Sequence, residues 1–117
     1  MADSIKTLKL TNGDEITFAA LTRAKRKEAL KVLRTKGVNP SIADLNLLNG
    51  LEMQTEICAV IWTGWKRCVD GELVETTKKE RREAIDEIDG LPEKIVKLAS
   101  EFAEECAKGY EVEEKNS

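Results

Sequence analysis

The chain of 117 residues contains no histidine, and this absence excludes several kinds of chemistry. A zinc site that mixes cysteine with histidine cannot form, and neither can a Ser-His or Cys-His catalytic pair. Cysteine is also scarce: Cys58, Cys68 and Cys106 stand ten and thirty-eight residues apart, which matches no CxxC pattern. We therefore expect three free thiols, no metal, no cofactor and no enzymatic activity, although three thiolates with a carboxylate remain formally open as a metal site.

Long apolar runs are absent as well. No stretch approaches the roughly 20 apolar residues that span a bilayer, and the opening "MADSIKTLKL" lacks a basic segment followed by an apolar one. The sequence therefore predicts a soluble, cytoplasmic protein with no membrane partner. Its length, with 41% apolar and 35% charged residues, predicts a single domain over residues 1–109. The polar, acidic stretch 110–117 is predicted to be a disordered tail.

The net charge of −3 is unevenly distributed. Residues 1–50 carry nine basic and five acidic side chains, whereas residues 51–117 carry ten basic and seventeen acidic ones. Such asymmetry is typical of an electrostatically steered contact, of head-to-tail association between copies of one chain, or of two differently solvated faces. The sequence leaves these three interpretations open.

The stretch "IKTLKLTNGDEITF" predicts a β-hairpin at about residues 5–19. Four apolar side chains fall at every second position of its two strands: Leu8, Leu10, Ile16 and Phe18. A two-residue turn at 12–13 would put the apolar sets of the two strands on opposite faces. A three-residue loop at 11–13 pairs Leu8 with Ile16 and keeps all four on one face, with Gly13 in the left-handed position. The pattern therefore favours the longer loop.

Helical spacing of apolar residues accounts for most of the remaining chain. A helix is predicted over 22–36, with Thr22 as its N-cap, and another over 77–89, with Thr77 and Glu80 at capping-box spacing. A last helix over 92–108 begins at Pro92. Between them we expect either one long helix over 42–68 or two helices that bend at 49–50, followed by a turn at "VDGELV" that has a short extended segment. The predicted class is α+β, mostly α: an N-terminal hairpin followed by four to five helices.

The segment "ICAVIWTGWKRC", residues 57–68, holds two of the cysteines and both tryptophans. On the predicted helix, Cys58 would pack as a small apolar side chain, and Trp65 would lie on the face of Ile57. We expect Trp65 to be buried. Because it stands near the predicted helix end, its partial exposure would instead make it a contact residue.

The helix at 22–36 is strongly basic, with seven cations from Arg23 to Lys36 and only Glu28 as an acidic residue. Cations in its first turn interact unfavourably with the helix dipole. The fold must therefore tolerate this cost, or the cations must serve a function. We interpret them as a solvated face or as a surface for a protein partner, with Arg23, Arg26 and Lys27, together with Trp65, as the candidate contact residues. Nucleic acid is a weaker interpretation, because the chain is acidic overall and no aromatic residues interleave the cations.

The order of these segments resembles the tail assembly chaperones of long-tailed bacteriophages and prophages. The resemblance rests on "LKLTNGDEITF", on "LT" before a helix, on an apolar segment with Trp before "VDGELV", and on "IDEIDGLP" before the last helix. The matching positions are Leu8, Gly13, Phe18, Leu21, Thr22, Ile61, Trp65, Asp70, Gly71, Ile88, Leu91 and Pro92.

This resemblance implies a non-enzymatic helper in tail assembly. Such chaperones keep the long, aggregation-prone tape measure protein soluble, recruit tail tube subunits onto it, and are thought to act as oligomers. The expected partners are therefore the tape measure protein, the tail tube protein and further copies of the chain, in the cytoplasm of a bacterial host. Another small phage assembly or adaptor protein, or a nucleic-acid-binding regulator that uses helix 22–36, is the alternative.

Overall fold

The structure is a computed structural model that describes residues 4–35 and 52–110. Its strands are β1 (Ile5–Lys9), β2 (Glu15–Ala19), β3 (Trp62–Val69) and β4 (Glu72–Glu75). Its helices are α1 (Arg23–Thr35), α2 (Glu52–Ile61), α3 (Lys78–Glu87) and α4 (Leu91–Ala107), followed by a single 3-10 turn at Lys108–Tyr110. The strands form one antiparallel sheet in the order β1-β2-β3-β4. The α+β class is therefore confirmed, with four α-helices in the described residues.

The predicted N-terminal hairpin is present in the predicted register. Leu8 lies opposite Ile16, and the N–H of Leu10 donates to the carbonyl of Asp14 at 2.7 Å, which leaves a three-residue loop at 11–13. Gly13 adopts φ +94°, and its N–H donates to the carbonyl of Leu10 at 3.0 Å. The register keeps Leu8, Ile16 and Phe18 on the face that packs on the helices.

The predicted helix over 42–68 is wrong for residues 62–68, because residues 62–69 form strand β3. Helix α2 ends at Ile61 and the strand begins at the next residue. From Trp65 onward the side chains of β3 alternate between the two faces of the sheet, and the strand pairs with β2, where Ile16 lies opposite Trp65. Apolar spacing across 57–65 fits a helix locally, but pairing with a strand distant in sequence decides the outcome. The predicted bend at 49–50 lies outside the described residues.

The segment after β3 forms a second hairpin. Val69 lies opposite Glu72, so only residues 70–71 form the turn. Both have positive φ, +51° for Asp70 and +82° for Gly71, which is the pattern of a type I′ turn. The expected short extended segment is therefore a strand, β4, at the edge of the sheet.

The core lies between the first hairpin and the helices α2 and α4. Phe18 of β2 contacts Phe102 of α4 edge to face, with ring centroids 6.1 Å apart. The N–H of Leu21 donates to the carbonyl of Ala99 at 3.0 Å, which fixes the chain after β2 to the same helix. The most deeply buried large side chains are Phe18, Ile16, Leu33, Ile61, Ile95 and Cys58.

Three predicted helix starts agree with the structure. The Thr22 hydroxyl accepts from the N–H of Lys25 at 3.3 Å, and the Thr77 hydroxyl accepts from the N–H of Glu80 at 3.1 Å. Gly90 precedes α4 in the left-handed conformation, with Pro92 in the first turn. None of the helices in the described ranges has the length and apolar character needed to cross a bilayer.

Candidate functional site

Helices α1, α2 and α4 border an open groove of about 540 Å³. Its apolar lining comes from Leu21, Leu30, Met53, Ile57 and Val96. Leu30, Met53 and Val96 are only half-buried, so part of their apolar surface remains exposed to solvent. A groove of this size and lining can take apolar side chains of another molecule, and the flexible thioether of Met53 can adapt to different shapes.

Charged residues of both signs surround the apolar lining. Arg26 and Lys97 contribute two cations, and Glu93 and Glu101 contribute two carboxylates. The side-chain oxygen Oε1 of Gln54, which also lines the groove, is buried and has no hydrogen-bond partner within the described residues. The groove therefore combines apolar side chains with charged groups of both signs that could orient a ligand.

The cations proposed from the sequence as contact residues have different surroundings. All three are exposed on α1, and of them Arg26 lines the groove, whereas Arg23 and Lys27 do not. Nearby on the same helix, Lys25 Nζ lies 3.7 Å from the carboxylate of Glu28. The structure thus places one of the three candidate cations at the groove.

Trp65, the fourth candidate, lies on β3 and is half-buried rather than buried as expected. Its indole Nε1 donates to Asp14 Oδ2 at 3.0 Å, and the other oxygen of Asp14 accepts from the N–H of Cys68 at 2.8 Å. The Trp62 ring lies 5.4 Å away and the Arg67 guanidinium lies 5.5 Å from the indole centroid. None of these contacts involves α1, so Trp65 and the three cations do not form one surface.

Sequence reasoning missed Asp14, which forms hydrogen bonds with Trp65 and Cys68. It is 8% exposed and joins the first hairpin to β3 through two hydrogen bonds. In the sequence it is simply the acidic residue after an Asn-Gly turn, and both of its partners are more than fifty residues away. No local pattern identifies such a link.

The three cysteines are free thiols, with Cys58 buried and Cys68 and Cys106 exposed. Burial and, to a smaller extent, the Glu93 carboxylate together raise the pKa of the Cys58 thiol from 9.0 to about 12, with Arg82 opposing the change. Cys58 is therefore protonated at neutral pH and acts as a small apolar side chain. Within residues 4–35 and 52–110, no group of three or more acidic, cysteine or histidine side chains could hold a metal ion.

The groove thus combines half-buried apolar side chains with Arg26, one of the predicted contact residues. Its groups can bind by apolar burial and by ion pairs with its charged residues. Comparison of the chain with protein-family models, with curated proteins and with solved structures finds no match.

Proposed function

We propose that this protein is a non-enzymatic assembly chaperone of the phage tail type, which binds apolar helical segments of a tape measure protein and recruits tail tube subunits onto it. The site of action would be the cytoplasm of the bacterial host. The observation that carries the proposal is the groove between α1, α2 and α4, with its half-buried apolar side chains. The order of sequence segments, which resembles that of tail assembly chaperones, supplies the identity of the client.

A groove of this kind suits an amphipathic helix, which places anchors at i, i+3, i+4 and i+7 into an apolar channel. Full burial of one leucine-sized side chain contributes about 1.5–3 kcal/mol. Association costs about 4–15 kcal/mol in lost freedom, so several such anchors are needed before binding becomes favourable. One chaperone would therefore bind one client segment weakly, and coverage of a long client requires many copies.

The charged residues of the groove would keep client binding weak and would set the orientation of the client helix. Arg26 and Lys97 can pair with acidic residues of a client helix, while Glu93 and Glu101 can pair with basic ones. Exposed ion pairs contribute about 0–1 kcal/mol each, which is enough to select an orientation without making the complex permanent. Reversible binding is what a chaperone needs if it is to be replaced by tail tube subunits.

The uneven charge along the chain agrees with assembly of several copies on one client. The basic N-terminal half and the acidic C-terminal half can attract each other between neighbouring molecules. Homo-oligomerisation is therefore part of the proposal.

The test is co-expression with the tape measure protein encoded by the same genome. We expect the soluble fraction of the client to rise with the wild-type chain and to fall again with Met53→Gln or Val96→Gln, which place polar groups in the groove. Ile5→Gln is the matched control, because Ile5 is 54% exposed on β1 and does not line the groove. Thermal unfolding of each variant shows whether it is folded. If the wild-type chain leaves the authentic client insoluble, the proposal is wrong.

The exposed cations of α1 favour a second candidate, a nucleic-acid-binding regulator. Arg23, Lys27, Lys31 and Arg34 are all exposed on this helix and could contact phosphates. Binding of non-specific duplex DNA at low salt that is lost in Arg23→Glu/Lys27→Glu would favour this function over the chaperone. Another small phage assembly or adaptor protein remains the alternative in the same class.

A further inference from the structure

A second cavity, of about 370 Å³, lies where the end of α2 meets the start of α3. Its apolar part is formed by Ala59, Trp62 and Ile85, of which Trp62 and Ile85 are almost fully buried. Its basic part is formed by four side chains of α3: Lys78, Lys79, Arg81 and Arg82. Apolar and cationic surfaces therefore meet in one concave site that the groove does not include.

The cations of this cavity are in an unfavourable arrangement. They occupy four of the first five positions of α3, where the helix dipole is positive and where they repel one another. Arg82 donates to the buried carboxylate of Glu56 at 2.8 Å. For Lys78, Lys79 and Arg81, no carboxylate of the described residues lies within ion-pair distance. The positive charge at the cavity is therefore largely uncompensated by the described part of the chain.

Trp62 adds an independent observation. The residue is 3% exposed, and its indole Nε1 is buried with no hydrogen-bond partner in the described ranges. A buried donor without a partner costs about 1–3 kcal/mol. An apolar group in the cavity would pack on the part of the Trp62 side chain that lines it.

We propose that this cavity binds an acidic peptide segment that carries a large apolar side chain. The apolar side chain packs on Trp62 and Ile85, and neighbouring carboxylates pair with Lys78, Lys79 and Arg81. The three cations lie close together, because Lys78 and Arg81 are separated by only about 4.5 Å of helix rise. A single carboxylate cannot compensate all three charges. A peptide with several carboxylates therefore fits better than a free amphiphile that carries one. This inference does not depend on the chaperone function, since it uses a different site.

The probe is a capped five-residue peptide with phenylalanine between two pairs of glutamates. Two control peptides replace the glutamates by glutamines or the phenylalanine by alanine. Calorimetry measures binding to the wild-type chain, and fluorescence of Trp62 in a Trp65→Phe background reports whether the peptide reaches the cavity. The cavity variant is Lys79→Gln/Arg81→Gln. The matched control, Lys31→Gln/Arg34→Gln, removes the same charge from the exposed surface of α1.

We expect the acidic phenylalanine peptide to change the Trp62 emission and to bind the cavity variant about tenfold or more weakly, while the α1 variant keeps wild-type affinity within about twofold. Both control peptides should bind weakly. Met53→Gln in the groove should leave peptide binding unchanged, which separates this site from the proposed client site. No binding, equal weakening by both charge variants, equal affinity for the alanine peptide, or displacement by dodecanoate would each overturn the proposal. Thermal unfolding confirms that the variants compared are folded.

Discussion

The two β-hairpins of the sheet both contain an Asx-Gly pair in their turns but have very different surroundings. In the first hairpin Ile16 and Phe18 are fully buried against the helices. In the second, only the start of β3, at Trp62, belongs to the core, and Val69, Leu73 and Val74 are between 43% and 49% exposed. Both hairpins contain apolar residues, so apolarity alone does not explain why the second contributes so little to the core.

The sequence of β4 explains part of the difference. The three-residue loop of the first hairpin pairs Leu8 with Ile16 and places Leu8, Ile16 and Phe18 on the face that packs on the helices. In the second hairpin Leu73 and Val74 are neighbours along β4, so they point to opposite faces whatever the length of the turn. No single face of the second hairpin can then bury both of them.

The largest expected contrast between the two regions is in thiol reactivity. Cys58 belongs to the core beneath the first hairpin, whereas Cys68 lies exposed on β3 of the second. We expect Cys68 and Cys106 to react with a disulfide reagent at neutral pH within seconds to minutes, and Cys58 to react orders of magnitude more slowly, because its thiol is buried and protonated. Mass spectrometry of the labelled chain measures this. Rapid labelling of Cys58 in the folded protein would show that the core opens readily.

The next contrast is in the free energy of unfolding. Phe18→Ala removes a fully buried ring and should cost about 3–5 kcal/mol, whereas Val74→Ala should change stability by less than about 0.5 kcal/mol. Urea unfolding followed by circular dichroism measures both. A comparable loss for Val74→Ala would mean that the second hairpin is covered in solution, by another copy or by a partner.

Asp14 connects the two hairpins, and its removal should cost less than that of Phe18. Asp14→Ala leaves the N–H groups of Trp65 and Cys68 without their acceptor, and we expect a loss of about 2–3 kcal/mol. Trp65→Phe should cost less, because it removes only one of the two bonds. In a double-mutant cycle the two changes should be coupled by about 1 kcal/mol. Strict additivity would show that the Asp14–Trp65 bond contributes nothing.

The smallest expected effects on stability come from replacing the glycine in each of the two turns. Gly13 and Gly71 both have positive φ, so alanine at either position should cost about 1–2 kcal/mol. A Cβ at Gly13 would also lie 3.0 Å from Cys68 Sγ, whereas a Cβ at Gly71 meets nothing within 4 Å. Gly13→Ala should therefore lower the unfolding free energy more than Gly71→Ala, as measured by urea titration. The reverse order would contradict the close approach of the first turn to β3.

Sequence reasoning succeeded where the determinants are local. The register of the first hairpin follows from the two-residue period of its apolar side chains, and the helix starts follow from Thr22, Thr77 and Pro92. It failed at residues 62–68, where apolar spacing continued the helix pattern although the chain pairs with β2, more than forty residues earlier. The Asp70-Gly71 pair between Val69 and Leu73 was the available signal for a hairpin.

The candidate site was predictable only in part. Arg26 was selected for its charge, and it does line the groove, but the apolar lining comes from three helices that no local pattern brings together. Trp65 was selected for its position near a helix end, and it belongs instead to a strand. The basic segment at 78–82 gives no sign of a cavity in the sequence, because the sequence does not show that Trp62 lies beside it.

The contact between the first hairpin and α4 has a consequence for synthesis on the ribosome. Phe18 packs on Phe102, Leu21 bonds to Ala99, and Lys6 pairs with Glu105 at 3.2 Å, so the first strands to be made are covered by the last helix. A two-stranded hairpin is marginal by itself in water. Its apolar face therefore stays exposed until residues near 105 have left the exit tunnel, so the hairpin reaches its packed state only once α4 can cover it.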